Sequence, residues 1–150
     1  MQAAVTRVCD AWERLDLLVN NAGSLASIGP LWQTDPDAWS SDVDVNVRGV
    51  YHGCRAAIPV MLPAGRGRIV NLVGGGTTGP FLNASAYATS KAAVMRLTEN
   101  LAAELDAAAA PLRVFAVTPG LVRTGMTEQF LESEPGRRWM QHTAGYLQRG

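Results

Sequence analysis

The stretch Ser85-Ala86-Tyr87-Ala88-Thr89-Ser90-Lys91 sets a phenol and an ammonium four residues apart at the start of an apolar helical pattern. On a helix, side chains at i and i+4 share a face, so Tyr87 and Lys91 become neighbours. A cationic lysine beside a tyrosine favours the phenolate and pulls the phenol below its ordinary pKa of about 10, toward the range where it exchanges protons in catalysis. Alone, this spacing is weak, because any amphipathic surface turn can produce it. The flanking sequence strengthens it.

The helix that carries the pair is predicted from Ser85 to about Ala109, with Val94, Leu97, Leu101 and Leu105 as its inner stripe and Pro111 closing the Ala107–Ala110 run. Leu112 to Val117 reads as the next strand, followed by the turn Thr118-Pro119-Gly120. Upstream, Arg68 to Val73 reads as a buried strand that ends in Gly74-Gly75-Gly76-Thr77-Thr78-Gly79. The Gly-x-x-x-x-Gly-Lys-Ser/Thr pattern is absent, and these glycines are given little weight as a phosphate cradle.

Earlier still, Leu15 to Asn20 is a predicted strand whose continuous run Leu17-Leu18-Val19 suits a parallel strand covered on both faces. Asn20-Asn21-Ala22-Gly23 follows at its C-terminal end, where open α/β sheets bind ligands. A short helix carrying Val5, Val8, Cys9 and Trp12 precedes it. After the loop from Ser24 to Gln33, Thr34-Asp35-Pro36-Asp37 has the features of a helix start, with Thr34 as cap. One long helix is predicted from there. Trp39, Val43, Val47, Val50, Cys54, Ile58 and Met61 mark its buried stripe, with Asn46 on the same side. A buried amide needs partners. Asp42 and Asp44 read as a solvated face. Helices alternating with apolar strands place the chain in the α/β class with a parallel sheet.

Four segments in this order, Leu17 to Gly23, Asn46-Val47-Arg48-Gly49, the Tyr87/Lys91 helix and Pro119 to Thr124, resemble the short-chain dehydrogenase/reductase family from the first helix to Met126. The resemblance implies a doubly wound, Rossmann-like parallel sheet and an NAD- or NADP-dependent oxidoreductase acting on a small carbonyl or alcohol. It implies Tyr87 as acid/base, Lys91 as the group that lowers its pKa, and Asn46 as holder of the water that links Lys91 to solvent. It places Asn20, Ala22 and Gly23 beside the adenosine side of the dinucleotide. Tyr87 and Lys91 fall at the nicotinamide and its ribose, Val122 and Thr124 at the nicotinamide carboxamide, and Pro119 and Gly120 among the cofactor-binding residues. The serine that usually stands thirteen residues before the tyrosine is Gly74 here. With one oxyanion donor missing, a slow enzyme is expected, with Thr77 or Thr78 as substitutes and faster turnover on restoring a serine.

The family's first strand, its Gly-rich turn and the acid or arginine about 20 residues later are not found in these residues. The chain is therefore expected to be truncated at both ends: three strands, resembling the fourth, fifth and sixth, flanked by helices in one partial domain over 1–150, with 127–150 as a variable lid-like tail. Weak NAD(P)H binding is expected for such a piece, since the pyrophosphate site would be missing. The alternative is a non-catalytic remnant or a helix-mediated interaction module of the same fold. Ala86, Ala92, Ala93 and Ala102 on the second long helix suit a homo-oligomer face, and packing within the chain accounts for them equally well.

Composition agrees with a small-molecule enzyme. The 150 residues are 47% apolar with a formal net charge of zero, which gives no attraction to nucleic acid or to an anionic membrane. Cys9 and Cys54 lack neighbours at metal-ligand spacing and read as buried thiols in a reducing compartment; no metal is expected. The N-terminal residues lack a signal-peptide pattern and no apolar run approaches about 18 residues, so a soluble, cytoplasmic protein is expected. His142 reads as a solvated loop residue rather than a base.

Overall fold

Each of the three apolar runs becomes a parallel strand in the computed structural model, which describes residues 1–141, 143 and 145. Strands β1 (Leu17–Asn20), β2 (Gly67–Leu72) and β3 (Leu112–Val117) stand side by side in that order. In the register, Leu18, Ile69 and Val114 lie in one row and Asn20, Asn71 and Ala116 in the next along that face. The α/β class and the partial Rossmann-like sheet with flanking helices are therefore present.

The helices are α1 (Gln2–Trp12), α2 (Pro36–Val43), α3 (Gly49–Met61), α4 (Ser85–Ala107), α5 (Gly125–Glu132) and α6 (Glu134–Trp139). Two right-handed crossovers taken in the same direction put α3 and α4 on the same side of the sheet. The main core lies there, built from Val50, Cys54, Ala57 and Met61 of α3, Ile69 and Val73, Val94 and Leu105 of α4, and Leu112. The opposite face is not covered by the described residues. Leu17, Val19, Phe115 and Val117 point to that side and are each more than two-fifths exposed. The run Leu17-Leu18-Val19 thus differs from the expectation of a strand buried on both faces.

The predicted long helix is interrupted. Between α2 and α3, Asp44–Arg48 forms a π turn, whose longer hydrogen-bond step widens the helix around Asn46. Asn46 is fully buried while Val45 and Arg48 face solvent. The cap of α2 is Asp35, which accepts from the Ala38 N–H; the Thr34 hydroxyl instead donates back to the Leu31 carbonyl. Asp44 is exposed and pairs with Arg48, as a solvated face should, but Asp42 is wholly buried. Of the alanines read as a pairing face, Ala86 is buried within the chain and Ala92 is exposed, with Ala93 and Ala102 between. Cys54 is buried and Cys9 only half so. No described helix is long and apolar enough to cross a membrane, and no group of metal-ligating side chains occurs among the described residues.

A buried polar chain joins sheet to helix beneath the strand ends. The Asn20 amide donates to Asn71 Oδ1 at 2.8 Å, the Asn71 amide donates to Thr98 Oγ1 at 2.9 Å, and that hydroxyl donates to the Val94 carbonyl at 2.7 Å. Buried amides with full partners are tolerated, whereas orphaned ones are costly. Gly53 of α3 leaves the notch that Asn20 fills: a Cβ there would stand 2.1 Å from Asn20 Oδ1. Gly53→Ala is therefore expected to destabilise by up to about 2 kcal/mol, the overpacking cost of about 1–3 kcal/mol less alanine's helix advantage of about 1 kcal/mol. Urea unfolding measures it, and pairing the change with Asn20→Ala should abolish the overpacking part of the loss.

Candidate active site

Parallel strands end on one edge of the sheet, so the segments after β1, β2 and β3 meet there. They enclose a cavity of about 760 Å³. Asn21, Ala22 and Gly23 line it from β1, Val73, Gly74 and Gly75 from β2, and Thr118 to Val122 with Thr124 from β3. Tyr87 and Lys91 enter from the first turns of α4, and Leu25, Phe81, Met126 and Phe130 form an apolar wall. Gly120 holds φ +78°, a left-handed conformation that lets the loop after β3 turn beside the cavity.

Helix α4 begins at Ser85, whose hydroxyl accepts from the Trp39 indole N–H at 3.1 Å, fixing that end of the helix against α2. One turn on, Tyr87 and Lys91 share a face as their spacing predicts. The Lys91 ammonium donates to the Leu72 carbonyl at 2.9 Å, at the last residue of β2, and lies 5.4 Å from the Tyr87 ring centroid. It is 4% exposed. Burial pushes the lysine below its ordinary pKa and the Tyr87 phenol above its own. This is the reverse of the expected lowering of the phenol. The physical reason is desolvation: burial disfavours the phenolate, and the Lys91 ammonium is itself buried and directed at the Leu72 carbonyl.

Asn46 reaches the same corner from the π turn. Its Oδ1 accepts from the Ser24 N–H at 2.8 Å, and its Nδ2 donates to the Ser24 carbonyl and the Ser90 hydroxyl, both at 2.9 Å. Ser90 in turn donates to the Tyr87 carbonyl at 2.8 Å. Gly23 runs between the groups: a Cβ there would lie 3.3 Å from Asn46 Oδ1 and 3.8 Å from Lys91 Nζ. Asn46, Tyr87 and Lys91 therefore converge at the strand ends. Asn20 does not join them, since its side chain is turned into the core toward Asn71, outside the cavity lining. Thr124 lines the cavity, but its hydroxyl also caps α5 by accepting from the Thr127 N–H.

Gly74 lies directly under the phenol. A Cβ at this position would be 2.8 Å from Tyr87 Oη. Thr77 does not offer its hydroxyl to the cavity, because that group donates to the Gly74 carbonyl at 2.6 Å and accepts from the Gly74 N–H. Thr78 is exposed and is not part of the lining.

The residues that sequence reasoning missed are the apolar wall and the loop that supports it. Leu25, Ala84, Phe130 and Met140 form a second buried cluster, against which Phe81, Tyr87 and Met126 pack. The described residues beyond Met126 thus form a folded cover: Ser133 ends α5 and caps α6. The Asn83 amide donates to the Trp139 carbonyl at 3.1 Å, and Gly29 donates to the Asn83 carbonyl. The only sequence signal was isolated apolar residues in loops, which have no period to read. His142 lies outside the described residues.

A family model described as short chain dehydrogenase matches residues 1–135. The 2-(R)-hydroxypropyl-CoM dehydrogenase of Xanthobacter autotrophicus is 39% identical over 134 residues, covering 88% of this chain and 53% of that protein. Among solved structures, a short-chain dehydrogenase/reductase from Burkholderia phymatum in complex with NAD is similar at TM-score 0.81 and 31% identity, over 90% of this chain and 48% of the other. A metagenomic short-chain oxidoreductase in complex with NADP is similar at TM-score 0.72 and 36% identity, over 82% and 55%. The chain spans about half the length of these relatives.

The buried lysine has a measurable signature. Its folded pKa lies below the ordinary 10.5, so between the two values the unfolded chain binds more protons and stability rises with pH. The Tyr87 phenol, raised from 10.0, acts oppositely but only above that value. Urea unfolding at pH values approaching 10 should show a stability gain in the parent that Lys91→Met lacks.

Proposed function

The chain belongs to the short-chain dehydrogenase family, and on that footing we propose that it forms the proton-transferring, nicotinamide-side part of an NAD(P)-dependent oxidoreductase. The observation that carries this reading is the cavity at the strand ends, in which Tyr87 and Lys91 are the titratable groups among the described lining residues. NAD or NADP, the cofactors named with the solved relatives, supplies or accepts the hydride when bound. Asn21, Ala22 and Gly23 are the cavity residues that would lie on its adenosine side, and Pro119, Gly120, Val122 and Thr124 those that would hold its nicotinamide side. Their lack of bulk at the strand ends fits a flat ring, and Gly120 permits close backbone approach.

In the reductive direction Tyr87 Oη would give its proton to the oxygen of a carbonyl substrate. The phenol is held protonated by burial, as a proton donor must be. Lys91, fixed on the Leu72 carbonyl, stands where it can return the proton to the phenolate, and Asn46 anchors the link from Lys91 toward solvent. The substrate is a small alcohol or ketone without charge: its reactive carbon meets the Tyr87 side of the cavity, and its apolar body packs on Leu25, Phe81, Met126 and Phe130.

Tyr87→Phe is expected to slow ketone-dependent NAD(P)H oxidation by at least about 100-fold, with the cofactor KM nearly unchanged. Equal activity of parent and variant would remove Tyr87 as the acid; if both were inactive, the protein would instead be a non-catalytic remnant or helix-mediated interaction module of the same fold. Gly74→Ser supplies a second donor beside Tyr87 Oη, and the phenol must move by a few tenths of an ångström to admit the new Cβ. Turnover is expected to rise by roughly tenfold, below the ~10²–10³ of a preorganised oxyanion donor because that shift offsets part of the gain. Steady-state rates on a simple ketone decide it.

A further inference from the structure

Asp42 is a buried carboxylate that the chemistry above does not use. It is completely inaccessible and lies one helical turn before Asn46. No lysine or arginine pairs with it among the described ion pairs. Its charge is met instead by donors from one loop. Oδ1 accepts from the Ser24 hydroxyl and the Ala26 N–H, and Oδ2 accepts from the Ala26 N–H at 3.0 Å and the Ser27 N–H at 2.9 Å. A carboxylate buried without a cation is retained only where fixed donors satisfy it, and an apolar residue of similar size would fill the same space without that desolvation cost.

The clamped loop is the one that holds Asn46. Ser24 grips the Asn46 amide from both sides with its N–H and carbonyl, and the next residue, Leu25, is a buried part of the cavity wall. We propose that Asp42 is a positioning residue for the active site: by tying down Ser24, Ala26 and Ser27 it sets the Ser24 backbone and, through it, the Asn46 amide. This rests on the reading of Asn46, Tyr87 and Lys91 as the proton-transfer group. The Asn46–Ser90–Tyr87 hydrogen bonds carry the constraint to the backbone of the residue that bears the phenol.

Asp42→Asn keeps the shape but replaces one acceptor oxygen with an NH₂ that cannot accept: set toward Ser27 it leaves that N–H unpartnered, and set toward Ser24 it forces the hydroxyl to reverse from donor to acceptor and removes one of the two oxygens that the Ala26 N–H shares. In the protein, D42N is expected to lower kcat at least tenfold with the cofactor KM within twofold. In an Asn46→Ala background the same change should cost less than a further twofold, because the route through Asn46 is already cut. Multiplicative losses in the double variant would overturn the proposal. A second readout needs no activity. In D42N, amide hydrogen exchange at Ser24 should quicken at least tenfold while the amides of α4 keep their protection; unchanged exchange at Ser24 would overturn it. If D42N does not fold, Ser24→Ala removes only the hydroxyl and carries both measurements with smaller changes of the same sign. A parent protein without oxidoreductase activity would refute the catalytic reading alone, and the exchange measurement would still decide the role of Asp42.

Discussion

In a parallel sheet every strand ends on the same edge, and the site of this protein depends on that constraint. The segments after β1, β2 and β3 have no choice but to meet. Once they do, Gly23, Gly74 and Pro119, which are far apart in sequence, surround one cavity. The helix that follows β2 must return along the sheet to reach β3. Its first turns therefore start beside the strand ends, and Tyr87 and Lys91 sit in those turns. The Lys91–Leu72 hydrogen bond closes the arrangement, tying the ammonium to the last residue of the central strand.

Polar groups buried near this edge are numerous for so small a sheet, and nearly all are partnered. Asn20, Asn71 and Thr98 form one chain below the cavity, and Asn46, Ser24 and Ser90 form another beside it. The Ser27 hydroxyl is the unpartnered exception among the described buried side-chain atoms. A leucine-filled version of the same volume would not specify a single arrangement so strictly, because apolar packing is tolerant of rotation and amide pairs are not. The two chains differ in what they hold. The first joins sheet to helix α4, while the second fixes the residues that face the cavity.

The sheet is asymmetric for the same topological reason. Crossovers of one hand in one direction place α3 and α4 together, which leaves Leu17, Val19, Phe115 and Val117 facing away from the core. The length of an apolar run reports that a strand is buried in its fold. It does not report which residues cover each side. The same ambiguity affected the acids of the second helix. Asp42 and Asp44 differ by two positions, about 200° around a helix, yet no period in the sequence distinguishes a solvated carboxylate from one met by loop N–H groups.

Local pattern alone determined the strands, the long helix α4 and the pairing of Tyr87 with Lys91, because periodicity, breakers and i, i+4 spacing are properties of neighbours in the chain. It also marked Asn46 as a buried amide in need of partners. Only the tertiary structure decided who those partners are, since Ser24 and Ser90 come from other elements. It turned Asn20 into the core, sank Asp42, opened the π turn at Asn46 and assembled the wall of Leu25, Phe81, Met126 and Phe130 from three separate segments. The direction of the Tyr87 and Lys91 shifts belongs to the same group. Spacing brings two charges together, but burial, which no spacing encodes, decides whether their attraction or their desolvation prevails.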